Sequence, residues 1–278
     1  MLYRCNFCGD LFNKKIHTSS IFEQVLCKKC IKMLSKKQPT LGIGVSHYRE
    51  DDVVLEKVLK SIDNQKFDFN NLEVVIVTDG GGKRVSKKIL DSLKNIKPKC
   101  YYHKTNKKVG GCRNTMIDKL KTDYIMFIDG DDAFINNSLS SAFKKVLKYK
   151  PDIYCTAILE EYKNGKCRKL KDVMSLNMTH GKFFRREALI KSGVRFIENL
   201  HIGEDFKFML ELYDVCDRII FDTHRTIYKW QYNEKSITRT LGANNNVDVF
   251  FRTLESTMLD LNNWFDRLKT KICLLTKN

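Results

Sequence analysis

YIMFIDGDD, Tyr124 to Asp132, decides the fold. The residues from Tyr124 to Ile128 form an unbroken apolar run of strand length, which suits a central parallel strand covered on both faces. Three carboxylates then gather around Gly130 at its carboxyl end, where open α/β sheets bind ligands. With only Gly130 between them, Asp129 and Asp131 can turn their oxygens toward one hard divalent cation, and such an ion would grip a diphosphate. Asp and Gly are also common turn formers, so a solvated turn is the competing reading.

Upstream of this stretch, strands and helices alternate. LGIGVSHYRE opens the main domain at Leu41 with a glycine-bearing strand, and a helix pattern from Asp51 to about Asn64 has Val54, Val58 and Ile62 on one face. Asp51 and Asp52 stand at its positive end, where they are expected to cap it. LEVVIVT, Leu72 to Thr78, is a second strand ending at Asp79 and three glycines; strand, helix, strand implies a right-handed crossover. Arg84 to Leu93 reads as a helix and Cys100 to His103 as a strand. Gly110 and Gly111 precede a helix that leads into Tyr124.

Downstream the pattern changes. A helix from about Asn137 to Lys148 is followed by a strand near Ile153, and Asn164-Gly165 reads as the turn of a two-residue hairpin, so the sheet should be mixed in its second half. Arg186 to Lys191 is a short helix stopped by Gly193, and Glu204 to Tyr213 starts another with two acids at its positive end. Two strands are expected near Ile219 and Ile227. From Val247 to about Ile272 apolar residues recur at helical spacing, predicting a helix packed on the core. The resulting expectation is an α/β fold with units at 1–36, 41–240 and a helical extension at 241–278.

Charge is the unusual bulk property: 50 Lys and Arg against 33 Asp and Glu give +17 over 278 residues. Such an excess favours anionic partners, whether nucleic acid, an anionic membrane face or a phosphorylated substrate; solubility alone is the alternative. Basic residues cluster locally in Lys104 to Lys108 and Lys163 to Lys171. No stretch approaches the length of a membrane span and the amino terminus lacks a signal-peptide core, so a cytoplasmic protein is expected. In that compartment ten cysteines point to metal ligation or plain burial rather than disulfides. Cys5 and Cys8, then Cys27 and Cys30, have the spacing of a zinc ribbon, a closed structural site for a module with few apolar residues of its own. With four cysteines present, His17 is read as a surface residue.

Several pieces then line up in order. Ser46 and Tyr48 on the opening strand, Asp79 after the second, NKKVGGCRN from Asn106 to Asn114, YIMFIDGDD, and HIGEDF from His201 to Phe206 together resemble a family-2 glycosyltransferase. The resemblance covers Leu41 to about Ser236. It implies a GT-A mixed sheet flanked by helices, here with a small zinc-binding module in front. It also implies an inverting, metal-dependent transfer from a nucleotide-sugar, with a UDP-sugar as the expected donor. By that resemblance Ser46, Tyr48 and Asp79 line the nucleotide pocket, Asp79 accepting from a uracil-like imide, and Arg113 orients the nucleotide or its diphosphate unless it only pairs with an acid such as Asp118. Asp131 would hold Mg²⁺ or Mn²⁺, Asp129 the metal or ribose, and Asp132 the donor or the loop itself. Asp205 would be the general base, a role that suits a carboxylate within reach of an acceptor hydroxyl. By the same resemblance Glu204, Lys182 and Arg185 are acceptor or diphosphate contacts. His224 is a further candidate ligand, and Trp230, Tyr232 and Arg239 are further candidates near the end of the catalytic region.

The resemblance leaves the acceptor open. The zinc ribbon and the positive charge point to a polyanion, concretely a hydroxymethylated pyrimidine in phage DNA, modified in the bacterial host's cytoplasm. The alternatives are a lipid-linked glycan, a teichoic-type polymer or a protein as acceptor, and, in another class, a zinc-dependent nucleic-acid-binding protein without catalysis.

Overall fold

Strand β3, Leu41–His47, is the axis of the main sheet. A computed structural model describes residues 3–4, 11–12, 40–171, 177–200, 202–234 and 272–274. The chain divides into Met1–Pro39 and Thr40–Asn278. In the first unit β1, Tyr3–Arg4, pairs antiparallel with β2, Leu11–Phe12. Cys5, Cys8, Cys27 and Cys30 lie outside the described residues, as do His17, Arg239 and most of the expected carboxyl-terminal helix.

In the second unit β3 is flanked by parallel β4, Leu72–Thr78, on one side and parallel β6, Tyr124–Asp129, on the other. Strand β5, Lys99–Tyr102, lies parallel beyond β4. The chain thus runs outward from β3 through β4 to β5 and returns to the opposite side of β3. The gap opened by that reversal, at the carboxyl ends of β3 and β6, is where doubly wound sheets take ligands. Beyond β6 the sheet turns mixed, as expected. Strand β10, Lys182–Arg185, is antiparallel to both β6 and β8, Ile153–Glu161. Next to β8 lies β11, Ile219–Trp230, which also carries β7, Ala133–Phe134, on its far half.

Burial on both faces explains the apolar run at Tyr124. Tyr124, Met126 and Ile128 pack into one core with Leu55, Val58, Leu59 and Ile62 of α1, Asp52–Asp63. Ile125 and Phe127 pack into the other, with Met116 and Ile117 of α3, Lys108–Lys119, and Phe208 and Tyr213 of α6, Glu204–Val215. Helix α3 lies directly on β3: a Cβ on Gly44 would stand 2.4 Å from Met116 Sδ, so the strand needs glycine there. Among the described residues the remaining α-helices are α2, Lys87–Asp91, α4, Leu139–Tyr149, and α5, Arg186–Ser192, the last ending at Gly193 with φ 70°.

Four expectations are corrected. Asp51 is the N-cap residue just before α1, but its side chain makes no capping bond, and Asp52 alone brings a carboxylate to the first turn. The hairpin from β8 into β9, Cys167–Leu170, turns through Lys163–Gly165 under a 2.8 Å bond from the Tyr162 N–H to the Lys166 carbonyl, longer than a two-residue turn. The two strands near Ile219 and Ile227 are one strand with a register shift between Asp222 and Thr226. There the Asp222 carboxylate accepts from the His224 and Arg225 N–H groups at 3.1 and 3.2 Å, holding the extra residues out of the ladder. Ile272, expected at the end of a helix, lies in β12, Ile272–Leu274, parallel to Ile219–Phe221, and isoleucine is a residue type that favours extended backbone.

Candidate active site

A cavity of about 1270 Å³ opens at the carboxyl ends of β3, β4 and β6 and reaches β11 and the start of α6. Ser46, Tyr48, Asp79, Arg113, Asp129, Asp131, Glu204 and Asp205 all lie on its wall. Residues separated by more than a hundred positions are thereby gathered around one space.

Arg113 is the hub. Carried by α3 and 2% exposed, it donates from Nη1 to Glu204 Oε1 at 2.7 Å and from Nη2 to Asp129 Oδ1 and Oδ2 at 3.0 and 3.2 Å. The acid it pairs with is therefore not Asp118, which faces Arg195 instead. Asp129 also accepts from Ser46 Oγ at 2.8 Å and meets His180 Nε2 at 3.0 Å. Burial alone would raise the Asp129 carboxyl, but Arg113 and the hydrogen bonds of His180 and Ser46 outweigh it and hold the group well below the usual carboxylate range.

Its neighbours are tuned the other way. Asp131 faces the cavity with Oδ2 accepting from Asn233 Nδ2 at 2.7 Å; burial, with the charges of Asp129 and Glu50, pushes its carboxyl up. Asp132 is 2% exposed and is not part of the cavity wall. It accepts from the Tyr228 hydroxyl at 2.5 Å and the Gln231 N–H at 2.9 Å, tying the acidic loop to β11, and burial raises it well above the carboxylate range. Asp129, Asp132 and His180 each bring a potential ligand atom within 4.8 Å of one another.

Asp79 is 5% exposed, and its carboxylate accepts from the Lys107 and Lys108 N–H groups at 2.9 and 2.8 Å while Oδ1 meets His103 Nδ1 at 3.0 Å. It thus caps the start of α3, the helix that carries Arg113. At the start of α6, Glu204 is buried; burial and the charge of Asp205 push its carboxyl up, with Arg113 opposing. Asp205 is more open and accepts from the Phe206 N–H at 2.8 Å.

Lys182 and Arg185 stand apart from the cavity wall. The Arg185 guanidinium pairs with Asp152, and Lys182 lies fully buried in β10 opposite Cys155. Burial pushes the Lys182 ammonium down to about 8, against the charges of Cys155 and Asp205. His224 is exposed and lies outside the acidic cluster; the histidine beside the acids is His180, whose ring stacks on Trp230 and lies tilted against Tyr228. Sequence reading missed it, because nothing in THGKFF separates it from a strand-end residue. Glu50 was also missed, although it closes the quoted LGIGVSHYRE stretch: it lines the cavity, pairs with His47 Nδ1 at 2.6 Å and accepts from the Tyr48 N–H at 2.7 Å.

A family model described as Glycosyl transferase family 2 matches residues 43–202, which span β3 to the edge of α6 and so contain most of this wall. The chain belongs to glycosyl transferase family 2. Among curated members, the GalNAc(5)-diNAcBac-PP-undecaprenol beta-1,3-glucosyltransferase of Campylobacter jejuni is 29% identical over 129 residues, 45% of this chain and 40% of that protein. The chain spans less than half the length of the curated relatives it matches. Among solved structures, S. aureus TarS 1-349 in complex with UDP-GlcNAc superposes with a TM-score of 0.68 at 18% identity, covering 77% of this chain and 64% of that one. The mannosyltransferase PcManGT of Pyrobaculum calidifontis, in complex with GDP-Man and Mn²⁺, gives 0.57 at 15% identity over 73% and 59%. At these identities the likeness speaks for the fold: the mixed sheet with its flanking helices is the GT-A arrangement. No helix among the described residues is long and apolar enough to cross a membrane.

Proposed function

We propose that this chain transfers a sugar from a nucleotide-sugar to a hydroxyl of a saccharide acceptor, in one in-line displacement with inversion. The observation that carries the reading is Arg113, which ties the Asp129 loop to the start of α6 on one cavity wall. Any donor seated against the first therefore lies beside the carboxylates of the second. Ser46, Tyr48 and Asp79 stand where the nucleotide would sit, and the UDP-GlcNAc and GDP-Man bound by the structural neighbours support a donor of that class.

The donor set fits a hard divalent ion. Asp129 is already engaged by Ser46, Arg113 and His180, whereas Asp131 faces the cavity held by Asn233 and destabilised by the charges of Asp129 and Glu50. His180 Nδ1 is in addition buried without a hydrogen-bond partner. Asp131 would hold Mg²⁺ or Mn²⁺, with Asp129 behind it and Asp132 and His180 in support. When bound, the ion supplies positive charge beside the departing diphosphate. Asp205, at the start of α6, takes the proton of the attacking hydroxyl. Asp132 fixes the loop through Tyr228 and Gln231.

For the acceptor, the Campylobacter jejuni relative, whose name describes glucose transfer to a polyprenol-linked saccharide, supports a glycan over a DNA base. Incubation with a panel of nucleotide-sugars and Mn²⁺ or Mg²⁺ tests the reading, with metal-dependent nucleotide release as the expected result. Absence of release with every donor would sink it in favour of a non-catalytic binding protein. Label from the active donor on hydroxymethylated DNA, and on no saccharide, would restore the nucleic-acid acceptor. Zinc at Cys5, Cys8, Cys27 and Cys30 is a separate proposal, checked by metal content before and after cysteine substitution.

A further inference from the structure

Much of the bonding capacity of Asp79 is already used within the chain. Oδ1 accepts from the Lys107 N–H at 2.9 Å and meets His103 Nδ1 at 3.0 Å, whereas Oδ2 accepts from the Lys108 N–H at 2.8 Å. A carboxylate oxygen offers about two lone-pair sites, so Oδ1 is filled while Oδ2 keeps one. Asp79 lines the cavity with Ser46, Tyr48 and Asn106, and that remaining site is what it offers a ligand there.

His103, just past the end of β5, is itself held from several sides. Its backbone N–H donates to the Thr78 carbonyl at 2.9 Å, its side chain is 10% exposed, and Nε2 meets the Thr115 hydroxyl of α3 at 2.9 Å. Because a carboxylate oxygen only accepts, the ring proton sits on Nδ1, and the neutral ring accepts the Thr115 hydroxyl at Nε2. The backbone is equally close: a Cβ on Gly80 would stand 2.1 Å from the Thr105 carbonyl carbon, so the residue after Asp79 is pressed against the loop that leads into α3. Cys112 completes a group with Asp79 and His103 whose ligand atoms lie within 4.8 Å of one another. Both ring nitrogens are engaged, however, and burial with the charge of Asp79 pushes the thiol up, so the built arrangement is hydrogen bonding and not metal ligation.

We propose that His103 is a positioning residue that decides which nucleobase the donor pocket accepts, by occupying the Asp79 oxygen that a base with two adjacent N–H donors would need. This rests on the sugar-transfer reading and narrows its donor. Guanine presents N1–H and the 2-amino group side by side and pairs with a carboxylate through both oxygens. Against Asp79 one of those donors finds the open site on Oδ2 and the other faces a filled Oδ1, left without a partner in a desolvated pocket. A uracil imide brings a single N–H, which one open site satisfies.

The test titrates the whole chain with UDP and with GDP in the presence of Mg²⁺, by calorimetry. Wild type is expected to bind UDP about thirty-fold more tightly than GDP. H103L, which frees a site on Oδ1, should lower that ratio by about ten-fold, part of it through tighter GDP binding. H103N should keep the ratio, since its side-chain amide can donate to Oδ1 in place of the Nδ1 proton. Both nucleotides meet the same sample, so loss of folded protein lowers both stoichiometries and leaves the ratio alone. The proposal is overturned if H103L keeps the wild-type ratio, if H103N loses it as fully as H103L does, or if wild type prefers GDP. Failure of wild type to bind either nucleotide would remove the sugar-transfer reading, and this one with it; binding of UDP with an unmoved ratio would remove only the role of His103.

Discussion

The two sides of the cavity differ in how deeply their polar groups are buried. On the side made by β3, β4, β6 and α3, the buried groups Asp79 and Arg113 are locked by charged hydrogen bonds to neighbours far away in sequence. On the side made by the end of β11 and the residues after it, Trp230, Gln231, Tyr232 and Asn233 are half-buried and Glu234 is exposed. Preorganised charge is what a transition state carrying a departing diphosphate requires, since the dipoles then need no rearrangement during reaction. A half-open rim of rings and amides fits partners that differ from one relative to the next.

Breaking the buried side should cost most. Arg113→Met removes the cation between the buried Glu204 and the half-buried Asp129 and leaves both carboxyls without it, so an unfolding free energy lower by about 3 kcal/mol is expected in urea titration. A change within a few tenths would show that the pair is solvated and the wall is not preorganised. Next comes Asp205→Asn, expected to lower transfer to the acceptor by about a thousand-fold while donor binding, read by tryptophan fluorescence, stays the same. Near-normal turnover would move the base elsewhere. Asp131→Asn should then raise the Mn²⁺ concentration for half-maximal transfer by about a hundred-fold; an unaltered metal curve would transfer that role to Asp129, Asp132 and His180.

The smallest effect concerns Lys182, buried in β10. Its ammonium is depressed to about 8 when folded, against about 10.4 in the unfolded chain, so the unfolded state binds more protons between those values and stability rises with pH across that window. Lys182→Met should flatten the rise by at most about 1.4 kcal/mol per pH unit, read as the difference between wild-type and variant denaturation curves. Parallel curves would place a solvated amine at this position.

Legibility in the sequence follows the same division. The strands and helices from Leu41 to Asp129 were readable because each buried face repeats with a local period, and the acids of IDGDD and GED because they end those periods. What could not be read was pairing across long separations. That Arg113 meets Glu204, that Asp79 caps α3 and that His180 backs Asp129 all depend on strand order. The bulge at Thr223 to Arg225 was invisible for a related reason: the polar stretch DTHRT resembles a connection until the Asp222 side chain is seen holding it within one strand.

Strand β6 shows how little separates a working wall from an idle one. Ile125 and Phe127 face α3, and Asp129, two residues further, reaches Arg113 on the same side. The position of that carboxylate is a matter of parity: deleting one residue anywhere between Tyr124 and Ile128, with strand length and apolarity otherwise kept, would deliver the acid to the α1 core instead. Whole-residue bookkeeping, odd or even, therefore constrains this segment more tightly than the identity of any apolar side chain within it.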